Sequence, residues 1–152
     1  MMKMYFVDLE KMDQTSTYFN NLLSTYEQAT FESNVELFGL ERIVHMTIEA
    51  IVDIGNMMID GFIMRDPGSY EDVIDILVDE QVITADQEDA FKQVIGLRGI
   101  LVKDYMVIDH PQLQTTLDDS LPVLKQFTTQ VYRYLEKEMG PITAFKKREG
   151  DE

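Results

Sequence analysis

Apolar positions recur along this chain at intervals of three and four residues, the period of a helix buried on one face. Leu9, Met12, Ser16, Phe19, Leu23 and Tyr26 form one such stripe and predict a first helix over about Asp8 to Phe31. From about Leu37 to Ile63 the pattern changes. Apolar residues there fill most of the circumference, and Glu41, His45, Glu49, Asp53, Asn56 and Asp60 remain as a narrow polar stripe. A helix apolar on two sides lies deep in a bundle or against a second subunit. Asp66-Pro67-Gly68 marks a turn, and Ser69 with Asp72 three residues later reads as a capping box opening a short third helix that ends near Gln81. Thr84 with Gln87 reads as another, opening a fourth helix through about Val102.

On the fourth helix Phe91, Val94, Ile95, Leu101 and Val102 define the apolar stripe, and Arg98 falls near its middle. Tyr105 extends the same line if the helix continues. Because arginine is seldom buried unpaired, Arg98 is expected either to have a carboxylate partner or to face a groove where an anion sits. Past His110-Pro111, a last helical region carries Leu113, Leu117, Leu121, Leu124, Val131 and Leu135. Pro122 interrupts it, as a kink or as the first turn of a new helix capped by Asp119 or Ser120. Gly140-Pro141 stops it. With no alternating strand pattern, the fold class is all-α: an up-and-down bundle of four to five helices. Residues 1–140 are expected to form one helical domain and 141–152 a polar, disordered tail.

Composition narrows the chemistry. A chain of 152 residues fits one domain of ordinary size. It has no cysteine, which removes disulfide frameworks, thiolate metal sites and cysteine nucleophiles and fits a cytoplasmic protein. The apolar run Met4 to Val7 is too short for an export signal. Ile43 to Met64 carries Glu49, Asp53 and Asp60, so no membrane span is expected. A net charge of −15 repels nucleic acid unless positive charge is gathered locally. The segment Lys92 to Lys103 offers such a place, with Lys92, Arg98 and Lys103 and no acidic residue. Two copies of it side by side in a dimer would double the charge and form a cleft for a phosphodiester. The competing reading is an arginine held in a structural ion pair.

His45, Glu49 and Asp53 stand at i, i+4 and i+8 and could present a nitrogen and two carboxylates to a divalent metal, but a solvated helix face has the same pattern. No E-x-x-H pair of the di-iron bundle type occurs, so no metal or cofactor is assigned. His110, before a proline, reads as a loop residue, and Met57, Met58 and Met64 read as packing.

Three blocks carry a resemblance: GLERIVHMTIEAIVDIGNMMI at 39–59, SYEDVIDILVDEQVIT at 69–84 and FKQVIGLRGILVKDYMVID at 91–109. In order and spacing the chain resembles the HepT-like ribonuclease family of the HEPN superfamily. The resemblance implies a homodimeric all-α bundle with the motif R-x-x-x-x-H-x-Y near the end of the fourth helix. It further implies a metal-independent endoribonuclease acting as the toxin of a toxin-antitoxin pair. The motif arginine would hold the scissile phosphate, and the histidine would move protons for attack by the ribose 2′-hydroxyl. The antitoxin would be a minimal nucleotidyltransferase that modifies the motif tyrosine with AMP. On this chain the motif arginine is Arg98 and the tyrosine is Tyr105. The histidine position is Lys103, and Gly99 replaces the polar residue common after the arginine.

An imidazole, ordinarily near pKa 6.5, both takes and gives protons at neutrality, whereas a lysine ammonium near 10.4 is a poor base. Lys103 is expected to donate a proton to a leaving oxygen or to stabilise a phosphorane dianion. Five residues on an unbroken helix also set Arg98 and Lys103 about 140° apart. Their convergence requires the helix to end between them, near Gly99, or both subunits to share one site. The reading is therefore an endoribonuclease of this family, or a weakened relative, acting on RNA at a dimer groove around Arg98, Lys103 and Tyr105. Its alternative is a catalytically inactive HEPN dimer used for binding or as a scaffold.

Overall fold

The structure is a computed structural model and describes residues 7–140. Among these the regular structure is entirely helical: α1 (Leu9–Gln28), α2 (Asn34–Gly61), α3 (Tyr70–Asp79), α4 (Glu88–Gly96), α5 (Arg98–Lys103), α6 (His110–Leu124) and α7 (Phe127–Met139), with a 3₁₀ turn at Ala85–Gln87. Two pairs are single rods with a break, α4 with α5 and α6 with α7. The expected bundle of four to five helices is thus five rods, two of them interrupted. The polar tail assigned to 141–152 lies outside the described residues.

Capping explains where the helices begin. Asp8 accepts the Lys11 amide at 3.1 Å and starts α1. Ser33 and Glu36 form a full capping box that starts α2 three residues earlier than its apolar pattern suggests. Hydrogen bonds from the Ser33 amide, then the Thr30 hydroxyl and the Glu32 amide, lower the Glu36 carboxyl to about 2. Ser69 accepts the Asp72 amide at 3.0 Å, but Asp72 does not return the bond. Its carboxylate instead takes both Arg65 Nη atoms at 2.8 Å and the Gly68 amide at 2.8 Å, clamping the loop that leads into α3. The Arg65 fork, then the Gly68 amide, holds the Asp72 carboxyl down at about 2.

The breaks have local causes. Leu97 closes a tighter turn, its amide bonding to Val94 at 3.1 Å, between Gly96 and Gly99, the two weakest helix formers of the segment. Pro122 does not open a helix; it sits inside α6, which runs on to Leu124 before the chain turns at Lys125 and Gln126. His110 is likewise corrected from a loop residue to the first residue of α6, capped by Asp109.

α2 is the axis of the bundle. It packs on α1, α3, α4, α5 and α6 and buries Leu40, Val44, Ile48, Ile51, Ile54, Met58 and Ile59 almost completely. Most of its apolar circumference is therefore covered within one chain, while Val35 and Phe38 in its first turns stay exposed. Phe19, Phe91 and Phe127 meet edge to face at 5.6 and 5.1 Å, joining α1, α4 and α7.

At Gly55 the α2 and α3 backbones approach so closely that an added Cβ would lie 2.4 Å from Val73 Cγ1. On helix propensity alone Gly55→Ala would stabilise by about 1 kcal/mol. Overpacking against a buried branched side chain outweighs this, and urea unfolding should show a net loss of about 1–2 kcal/mol.

Candidate functional site

Within the polar stripe of α2, Glu49 gathers groups from α3 and α5. Its Oε1 accepts Arg98 Nε at 3.4 Å, and its Oε2 accepts the Tyr70 hydroxyl at 3.1 Å. His45, one turn earlier, sets Nε2 3.4 Å from that same Oε1. The Arg98 guanidinium lies over the Tyr70 ring, 4.5 Å from its centroid, so charge, hydrogen bond and cation–π contact fix one orientation. Local structure supplies each part. Tyr70 is the first residue of α3, delivered by the clamped Arg65–Asp72 loop, and Arg98 is the first residue of α5, delivered by the break at Leu97.

The cluster is half-buried, with the side chains of Glu49, His45 and Arg98 27%, 30% and 38% exposed. Burial, and then the bond to Glu49, push the Tyr70 phenol above its ordinary range, so it remains a neutral donor. Partial desolvation, followed by the Glu49 charge, raises the Asp53 carboxyl. Only Nε of Arg98 is hydrogen-bonded; among the described residues neither Nη atom has a partner. That free fork can take two oxygens of an anion. On the other side of Glu49 a pocket of about 240 Å³ opens between α1 and α2, lined by Thr15, Tyr18, Met46 and Asp53 among others.

The other sequence-selected residues are placed differently. α5 runs without interruption from Arg98 to Lys103, so Gly99 does not end it and the two cations point about 140° apart within one chain. Lys103 is exposed and, among the described residues, has no ion-pair partner. Tyr105 lies beyond α5, 62% exposed, in a run of exposed apolar side chains with Val102, Met106 and Val107. Lys92 is not part of a shared positive surface, because Asp75 holds its Nζ at 2.6 Å and Glu88 lies 3.7 Å away. His110 Nε2 contacts Glu41 at 2.7 Å and ties α6 to α2. His45, Glu49 and Asp53 do not converge as metal ligands, and no other such group occurs among the described residues.

Tyr70 was not legible as part of a site, since in sequence it is only an aromatic residue after a cap. His45 and Glu49 were legible as a face, though not as the face that meets Arg98.

Residues 9–131, most of the chain, match the family described as Ribonuclease HepT-like. The chain belongs to the HepT-like ribonuclease family. A Bacillus subtilis (strain 168) protein named "Putative RNase YutE" is 44% identical over 144 residues, covering 94% of this chain and 100% of that protein. The solved structure of YutE, titled a cytosolic protein of unknown function from Bacillus subtilis, superposes with a TM-score of 0.88 at 43% identity. It covers 91% of this HepT-like chain and 97% of its own. No helix among the described residues is long and apolar enough to cross a membrane.

Proposed function

We propose that this HepT-like chain is a metal-independent endoribonuclease of the cytosol, acting on RNA phosphodiesters in a groove around Arg98. One observation carries the reading: Arg98 is oriented by Glu49 and Tyr70 through its Nε edge and ring face, while its two Nη atoms remain open. A scissile phosphate takes that fork, and the neighbouring ribose 2′-hydroxyl attacks in line, leaving a 2′,3′-cyclic phosphate and a 5′-hydroxyl. Charge developing on the phosphorane is balanced by the guanidinium and by Lys103.

Since α5 turns Lys103 away from Arg98 in one chain, the lysine reaches the groove from a second copy. Support for a homodimer comes from the exposed apolar run Val102, Tyr105, Met106 and Val107 beside Lys103, and from Val35 and Phe38 at the start of α2. In this arrangement the chain is the toxin of a toxin-antitoxin pair. The exposed Tyr105 hydroxyl is the site at which a minimal nucleotidyltransferase partner adds AMP.

The second reading, an inactive dimer used for binding or as a scaffold, is favoured by Lys103 standing where the family has histidine, and by the Arg98–Glu49 contact, which gives the arginine a structural use.

With chelator present, the protein should cleave single-stranded or hairpin RNA, and Arg98→Ala should lower the rate by about 10²- to 10³-fold. An inert wild-type protein would favour the scaffold. Light scattering at micromolar concentration should give a dimer, and charges at Met106 and Val107 should shift it to monomer. A wild-type monomer would exclude the shared groove.

A further inference from the structure

Two histidines occur in the sequence, His45 and His110, and only one of them stands beside the motif arginine. His45 Nε2 and Arg98 Nε each lie 3.4 Å from one and the same oxygen, Glu49 Oε1, which puts the two nitrogens within twice that distance of each other. The position that the family motif gives to histidine holds Lys103, on the far side of α5. From this geometry we propose that His45, supplied by α2, is the proton-transferring catalytic residue of this chain. The inference rests on the ribonuclease reading above and names the base that it leaves open.

The chemistry follows from the neighbours. A carboxylate cannot donate a hydrogen bond, so the ring nitrogen facing Glu49 is the one favoured to carry the proton, leaving Nδ1 as the acceptor. Glu49 thus has a double task, orienting the imidazole and steadying the imidazolium that forms, while also holding Arg98 against the phosphate. In the reaction the 2′-hydroxyl gives its proton to Nδ1 as its oxygen forms a bond to phosphorus and the bond from phosphorus to the 5′-oxygen breaks. The leaving oxygen takes a proton from water, and the imidazolium returns its own to solvent, so the count of protons balances. Both side chains are held at Glu49 Oε1, near enough to each other for one phosphodiester to reach both. His45 is also 30% exposed, as a group that must meet a large substrate needs to be.

His110 supplies the internal control. It is the same residue type, but it contacts Glu41 at 2.7 Å and is engaged in tying α6 to α2. The full-length protein and its variants are assayed on a labelled RNA with chelator, and binding is measured separately on a 2′-O-methyl RNA that cannot react. His45→Ala is expected to lower the cleavage rate by about 10²- to 10⁴-fold without weakening binding. Added imidazole should restore part of the loss, which a purely structural role would not allow. His110→Gln should cleave as the wild type does. If His45→Ala melts early, His45→Gln, which keeps an amide in place but cannot relay a proton, should show the same loss with normal melting.

The failures separate. If His45→Ala cleaves at the wild-type rate while Arg98→Ala does not cleave, the inference is overturned and the ribonuclease reading stands. If cleavage and binding fall together and imidazole restores nothing, His45 only supports Glu49 and the inference is again overturned. A wild-type protein that binds RNA but never cleaves it would remove the ribonuclease reading and this inference with it.

Discussion

The candidate groove depends on one carboxylate. Glu49 projects from the most buried helix of the bundle and is shared by Arg98, Tyr70 and His45, each from a different part of the chain or a different turn of α2. Its energetic contribution as a half-exposed ion pair is modest, because solvent screens such contacts and ordering long side chains is costly. Its geometric contribution is larger. It consumes the Nε edge of the guanidinium, fixes the plane of the fork over Tyr70, and so decides which face of Arg98 remains available to an anion.

A group that must be held to a fraction of an ångström is best carried by rigid elements, and here the support is continuous. α2 is locked by its neighbours, α3 by the Arg65–Asp72 clamp ahead of it, and α5 by the short turn at Leu97. Arg98 keeps the place that its spacing gives it, between the buried Ile95 and Leu101, and meets the α2 face there. The imidazole nearest to Arg98 belongs to α2.

Much of the fold was legible because it rests on local chemistry. The stripe through Met12, Phe19 and Leu23, the nearly all-apolar α2, and the caps at Asp8 and Ser69 follow from side-chain spacing. The breaks at Leu97 and after Leu124 were harder, because a single glycine or proline weakens a helix without stating where it yields. The Ser33–Glu36 box carried a clear signal that the apolar pattern masked. In the site, Arg98 was marked by its place on an apolar stripe, and the possibility of a carboxylate partner followed from burial alone. That the partner is Glu49, and that Tyr70 lies beneath, depend on the packing of α3 and α5 against α2, which no local spacing encodes. The run Lys92 to Lys103 read as one basic surface and is not, since Lys92 is spent on Asp75.

The central claim is that the open fork of Arg98 and the imidazole of His45 face one bound phosphodiester. Side-chain NMR of ¹⁵N-labelled protein titrated with a 2′-O-methyl RNA tests it directly. The account expects the Arg98 guanidinium and His45 ring signals to move together, saturating at one RNA concentration, while the His110 ring stays in place. RNA binding that leaves Arg98 and His45 unmoved while shifting signals elsewhere on the surface would contradict it.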